Sequence, residues 1–338
     1  MFTTRRRLLA APLLLLPGAA LAACSGDVGS SAAEAAADGD GADRADEMPT
    51  VQAGEPELPV TFTGDDGVEI TVESLERVMV VDDGTIEIIG ALGRADLLGI
   101  APEVSLLEDV ASQAEQRITT AGRGALTVEG VVALDPTLVI GVNMRRHAEL
   151  VAGLQGVGIP ATLIDTSRVA PEKILRTAEL LGLPQAGEEL AGLVQEQYDR
   201  AAAALEGEAD RPRVMVLSSS GAGDSGATTG AGEATPAHEV VVAAGGVNAG
   251  AESGLDRYQA VTAEGLVAAA PEVIVVAAGE IDDLGGEDGI WTQVSGLVGT
   301  PAEQEERLVV MEDMLIKGGA VSSGLGVLTL QAALHPDL

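Results

Sequence analysis

Cysteine is all but missing from this chain: there is one in 338 residues, Cys24. No intrachain disulfide, thiolate pair or multi-cysteine metal cluster can be built from it. Lysine occurs only as Lys173 and Lys317, and Phe, Tyr and Trp together number five. Against 19 basic residues stand 53 acidic ones, a net charge of −34. Three of the arginines lie in the leader, so its removal leaves 16 − 53 = −37. Such a surface repels nucleic-acid backbones and anionic lipid, which argues against a nucleic-acid partner. Few lysines, many carboxylates and few aromatics also suggest a protein soluble in high salt. No G-x-G-x-x-G follows a first strand, and G-x-x-x-x-G-K-[ST], H-E-x-x-H and a G-x-S-x-G elbow are missing. The chain therefore reads as no enzyme.

The ends set the address. The N-terminal stretch TTRRRLLAAPLLLLPGAALAAC has a cationic head at Arg5, Arg6 and Arg7, an apolar run and a small-residue exit. This is the pattern of an export signal rather than a permanent span. Thr4-Arg5-Arg6-Arg7-Leu8-Leu9 looks like a twin-arginine signal. Leu21-Ala22-Ala23-Cys24 is similar to a bacterial lipobox, whose cysteine is acylated. Residues 1–23 are read as the export signal. Residues 24–57 are read as a lipidated Cys24 and a disordered acidic tether, too poor in bulky apolar side chains to offset the entropy of ordering.

What remains alternates between short β-branched runs and helical runs, as α/β units do. Asp65-Asp66-Gly67 inside VTFTGDDGVEITV predicts a hairpin. ERVMVVDD reads as strand, GTIEIIGALG as helix, and RLVVMEDML as a late strand. EKILRTAELLGLPQAGEELAGLVQEQYDRAAAALEG is helical with a break at Gly182-Leu183-Pro184, and its second part is long for a crossover. A repeat brackets this segment. LTVEGVVALDPTLVIG at 126–141 is echoed by VTAEGLVAAAPEVIVV at 261–276. Thr127 matches Thr262, Glu129 matches Glu264, Gly130 matches Gly265 and Pro136 matches Pro271, all at one offset. Thr then Glu suits a helix start and Pro a stop, so the repeat is structural. It predicts two similar lobes, 58–168 and 208–338, joined by a connecting helical segment, 169–207.

These stretches together resemble the metal-chelate class of ABC-importer substrate-binding proteins, which take up haem, ferric siderophores and cobalamin. The resemblance runs from about Leu58 to the end and rests on TFTGDDGVEITV, TIEIIGALG, both repeat copies, the long middle helix and HEVVVAAGGVNAG. It implies an α/β fold of two Rossmann-like lobes, each with a central parallel sheet, joined by one long helix, with ligand in the cleft between them. It implies a monomeric receptor, exported and lipid-anchored to the outer face of the cytoplasmic membrane, with an ABC permease and its ATPase subunits as partners. It further implies that Glu87 and Glu239 dock onto permease arginines.

HEVVVAAGGVNAG with the second repeat most resembles the haem-binding branch, making haem the transported ligand rather than a catalytic cofactor. The tyrosines that such proteins use as iron ligands are missing from APEVSLLEDV, around Leu106, and from SSSGAGDSGATTGAGEATP. His147, past the strand TLVIGV, is then the candidate axial ligand, with Met144 as a soft sulfur beside it. Arg145 and Arg146 would suit an anionic chelate. Tyr258 and Trp291, in second-lobe loops, are candidates to stack on a flat ligand. Lys317 sits at a strand end and is placed in the cleft, with Met311 and Met314 beside it. His335 reads as plain surface. A ferric siderophore or cobalamin receptor is the alternative, since those ligands bind without an axial side chain.

Overall fold

The structure, a computed structural model, describes residues 47–120, 126–142, 145–219 and 227–338, all within one compact unit. The hairpin forms as expected: β1 (Val60–Thr63) pairs antiparallel with β2 (Glu69–Val72). Gly67 closes the turn at φ 77°, a conformation that favours glycine. The tip is locked down rather than free. Asp65 accepts from Arg168 Nε and Nη2 at 3.0 and 2.7 Å, and from the Asp165 amide at 2.7 Å. The Arg168 guanidinium holds the Asp65 carboxyl below its ordinary range.

The first sheet has the order β5-β4-β3-β6-β7, all parallel. Its strands are β3 (Val78–Val80), β4 (Leu98–Pro102), β5 (Gln116–Ile118), β6 (Leu138–Val142) and β7 (Ala161–Ile164). Period-two alternation sends consecutive residues to opposite cores. Val78, Val80, Leu138 and Ile140 face one apolar cluster, while Met79, Val81 and Val139 face the other. Helices α1 (Asp83–Ala91), α2 (Val128–Val132) and α3 (Arg145–Gly156) supply the crossovers.

The second sheet has the order β11-β9-β8-β12-β13, with β10 also on β8. It comprises β8 (Arg213–Ser218), β9 (Thr229–Gly230), β10 (Val247–Asn248), β11 (Gln259–Ala260), β12 (Val273–Ala277) and β13 (Leu308–Met311). The centre is parallel, but β9 and β11 add a short antiparallel edge. Alternation again splits the strands, with Val214, Val216, Val273 and Val275 on one face and Met215, Leu217, Ile274 and Val276 on the other.

The connecting region is two helices broken at Gly182, as the sequence predicts. They are α4 (Ala170–Leu180) and α5 (Pro184–Ala204). Gly182 has φ 68°, and a side chain there would meet the Glu57 carbonyl at 2.6 Å. The 21 residues of α5 span about 30 Å. Leu190, Ala191 and Val194 enter the first lobe's core, Ala201 enters the second's, and Tyr198 packs against both. One helix is thus a structural member of both lobes.

The repeat is realised in three dimensions. Helix α2 and its counterpart α7 (Ala263–Ala269) are capped alike. Thr127 Oγ1 accepts from the Gly130 amide at 3.1 Å, and Thr262 Oγ1 from the Gly265 amide at 3.0 Å. Both units then turn through a left-handed residue before proline, Asp135 at φ 51° and Ala270 at φ 44°. An alanine there is strained, so Ala270→Gly is expected to raise stability by about 1 kcal/mol. A thermal melt of the two proteins checks this; an unchanged or lower midpoint contradicts it.

The remaining helices used below are α6 (Pro236–Ala243), α8 (Gly286–Gln293), α9 (Asp313–Lys317) and α10 (Ser322–Leu334). The stretch read as one late strand splits after Met311: Asp313 begins α9. His335, read as surface, is 6% exposed, beside Gly245 and Leu205. Among the described residues no helix is long and apolar enough to cross a membrane.

Candidate ligand cleft

In parallel α/β sheets the carboxyl ends of the strands form the binding edge. On the first sheet that edge carries Asp82 and Asp83 after β3, residues 103–106 after β4, and His147 after β6. Asp82 caps α1, accepting from the Thr85 amide and hydroxyl at 2.9 Å each. Burial pushes its carboxyl up to about 6. Asp83 accepts from Ser105 Oγ at 2.5 Å and from the Leu106 amide at 3.3 Å, which fixes the loop after β4. That loop presents Val104 and Leu106, 88% and 50% exposed.

His147 is 3% exposed, with Nδ1 over Gly141, where a methyl would lie 3.8 Å away. The ring therefore rests on the end of β6 in this state. Arg145 and Arg146 open α3; the expectations for their side chains, like those for Met144 and Cys24, lie outside the described residues.

On the second sheet the edge is a polar network. Glu280, after β12, accepts from Ser218 Oγ at 3.0 Å and pairs with Lys317 Nζ at 2.6 Å. Lys317 also lies 3.7 Å from Asp313, whose other oxygen accepts from the Gly279 amide at 2.8 Å. The Tyr258 hydroxyl is buried and has no hydrogen-bond partner among the described residues. Burial pushes its pKa upward, and the Glu280 charge adds to that. Tyr258 and Lys317 are thus gathered around Glu280, at the ends of β8, β12 and β13.

Trp291 is not with them. The sequence places it in a loop, but it belongs to α8 and packs on the core that holds Ile274, Val276 and Ile290. That correction removes it from the ligand-stacking set. Met311 and Met314, 2% and 5% exposed, are core residues of the same lobe.

Glu87 and Glu239 also require correction. A carboxylate that receives a partner's arginine must be accessible, yet Glu87 is 5% exposed. Its Oε1 accepts from the Ser322 amide at 3.1 Å, and burial pushes its carboxyl up to about 7. Glu239 accepts from the Ala170 amide at 2.9 Å and the Tyr198 hydroxyl at 2.5 Å, with Lys173 Nζ 3.8 Å away. Both face the junction between the lobes. Glu129 and Glu264 are exposed acids at equivalent helix starts on the strand-end edge, one in each copy of the repeat. The Thr-x-Glu-Gly echo carried that signal.

At the junction a cavity of about 60 Å³ is lined by Asp82, Thr85, Lys173, Thr177 and Gly319 among others. It has room for a few waters and not for a chelate ring.

Two α/β lobes, each with a mostly parallel sheet, share one long helix, the architecture of a two-lobed binding protein. Residues 78–315 match the periplasmic binding protein family, and the chain belongs to it. It is an exported binding protein, not an enzyme. No curated protein matches it by sequence. Solved structures do. The periplasmic haem-binding protein RhuT from Roseiflexus sp. RS-1, in apo form, is 28% identical, with a TM-score of 0.66 over 77% of this chain and 98% of that one. The haem-binding protein HmuT is 25% identical, with a TM-score of 0.71 over 85% and 93%. The periplasmic haem-binding protein BhuT, solved with two haems, is 26% identical, with a TM-score of 0.65 over 77% and 98%.

Proposed function

We propose that this protein is a lipid-anchored receptor that captures haem between its lobes and delivers it to an ABC permease driven by ATPase subunits. The observation that carries this reading is the likeness, along nearly their whole lengths, to three proteins described as haem-binding. Acylation at Cys24 would hold the lobes, 58–168 and 208–338, outside the cytoplasmic membrane, with 169–207 as the connector. The tether expected over 24–57 needs correction at its end: Val51 is buried in the first lobe's core, and the Val51 and Ala53 amides donate to the Ala91 and Leu92 carbonyls at 2.8 and 2.9 Å, so a free tether would stop before residue 47.

His147 is the proposed axial ligand. It follows the end of β6, and its ring, now packed over Gly141, would have to turn off that position to meet iron. Next to it in sequence, Met144 would offer a sulfur donor, and Arg145 and Arg146 partners for the carboxylates of haem; their side chains lie outside the described residues. Tyr258 and Lys317 would line the opposite wall, where Tyr258 brings a hydroxyl without a hydrogen-bond partner among the described residues. For the permease we propose Glu129 and Glu264 as the contact pair. One exposed carboxylate on each lobe, at equivalent helix starts, suits two arginine forks.

A hemin titration followed at the Soret band, with His147→Ala alongside, tests the ligand assignment. A band position lost or moved in the variant is expected. Identical spectra in the two proteins would remove His147 from the iron.

A ferric siderophore or cobalamin remains the second reading. It is favoured by His147 being packed over Gly141 and by Lys317 being neutralised by Glu280 and Asp313.

A further inference from the structure

We infer that Glu87 and Glu239 are positioning residues: a reciprocal pair of carboxylates, each reaching from one lobe's helix to the first amide of a helix on the other side, that sets the angle between the lobes and so the width of the cleft. Glu87 stands on α1, against the first sheet, and accepts from Ser322, the first residue of α10. Helix α10 packs beside α6, α9 and α5 on the second lobe. Glu239 stands on α6 of that lobe and accepts from Ala170, the first residue of α4. Helix α4 packs on α1 and β1 of the first lobe. The two contacts therefore run in opposite directions across one seam.

Each oxygen accepts from the first amide of a helix of more than ten residues, a donor that no carbonyl within the helix can satisfy. The seam is closed around them. Lys173 of α4 donates to the Gly319 carbonyl at 2.8 Å, just ahead of α10, and lies near Glu239. Tyr198 ties Glu239 to the connector α5. A side chain at Gly84 would meet the Gly318 carbonyl at 3.0 Å, so the two backbones nearly touch. Ala320 and Val321, which lead into α10, are buried in the first lobe's core. Opening the cleft pulls α10 away from Glu87 and α4 away from Glu239 together, and leaves both carboxylates buried without their amides. Such a seam favours one lobe angle over a continuum.

The lobe geometry stands on its own; its consequence for ligand capture rests on the haem-receptor reading. The test uses the full chain carrying Cys24→Ser, with spin labels at Glu149→Cys on α3 and Val267→Cys on α7, both exposed and remote from the seam. Pulsed dipolar spectroscopy should give one narrow distance distribution. With Glu87→Ala and Glu239→Ala combined, it should become about twofold broader or split. With Glu87→Gln and Glu239→Gln it should stay narrow, because an amide oxygen still accepts from the same N–H. If circular dichroism shows the double alanine variant unfolded, Glu239→Ala alone, at the less buried site, is read in its place. An unchanged narrow distribution in the alanine variant that is read overturns the inference. In the same samples hemin dissociation should be roughly tenfold faster in the alanine variant. Failure of the parent protein to bind hemin would sink the haem reading and leave the distance result intact.

Discussion

Replacing Lys317 by alanine is expected to lower the unfolding free energy by about 3–5 kcal/mol, the cost of leaving a buried carboxylate without its counter-ion. The side chain of Glu280 is 8% exposed and that of Lys317 21%. The pair is thus shielded from the solvent screening that makes surface ion pairs weak. The acid also holds Ser218, at the end of β8, so its compensation fixes two strand ends at once. Paired with Glu280→Gln, Lys317→Met should recover most of the loss, because the more deeply buried carboxylate is then neutral and only the more exposed Asp313 keeps its charge. Urea unfolding of the two variants measures both effects. A Lys317→Ala shift smaller than about 1 kcal/mol, the size of an exposed pair, would contradict the network described here.

The second large effect is a stability that falls as pH rises toward neutrality, traceable to one residue. Burial lifts the Glu87 carboxyl from 4.5 to about 7 in the folded protein. A group whose folded value is raised binds its proton more tightly in the native state. Its contribution is therefore complete below 4.5, declines between 4.5 and about 7, and is gone above. At roughly 1.36 kcal/mol per unit, the interval corresponds to about 3 kcal/mol. Asp82, lifted to about 6, contributes in the same direction. The Glu87 carboxyl feels the Asp83 charge, which raises it further, and the Ser322 amide, which opposes the shift. Lys173, the cation at this seam, is held below its ordinary value by burial. Glu87→Gln should flatten the curve from pH 5 to pH 8 and be the more stable protein at the upper end. Parallel pH profiles in both proteins would place the titration elsewhere.

Much of this architecture was legible in the chain. The Thr-x-Glu-Gly echo at one offset predicted twin units, and matching caps and left-handed residues at Asp135 and Ala270 realise them. The break at Gly182 and the apolar spacing of Leu190, Val194 and Tyr198 gave the connector, because both depend on local geometry alone. The glutamates were harder. Glu87 sits among Ile86, Ile88 and Ile89, and a helix apolar on every side is a buried helix. That pattern pointed inward, whereas Glu129 and Glu264 follow a capping threonine, where a first-turn acid faces solvent. Gly285 and Gly286 hide the start of the helix that carries Trp291, and no local signal marks Asp313, just past β13, as opening a new helix. The network around Glu280 joins residues from four separate segments, and no local pattern encodes such a meeting. Met144, a candidate from the sequence, lies outside the described residues.

The measurement that tests the central claim most directly is a ligand titration of the purified protein in high salt, in parallel with hemin, a ferric siderophore and cobalamin. The haem-receptor account predicts a saturable one-to-one Soret change with hemin that neither of the others competes away. Saturable binding of a siderophore or cobalamin, with no saturable response to hemin, would contradict it and make this two-lobed protein a receptor for a different chelate.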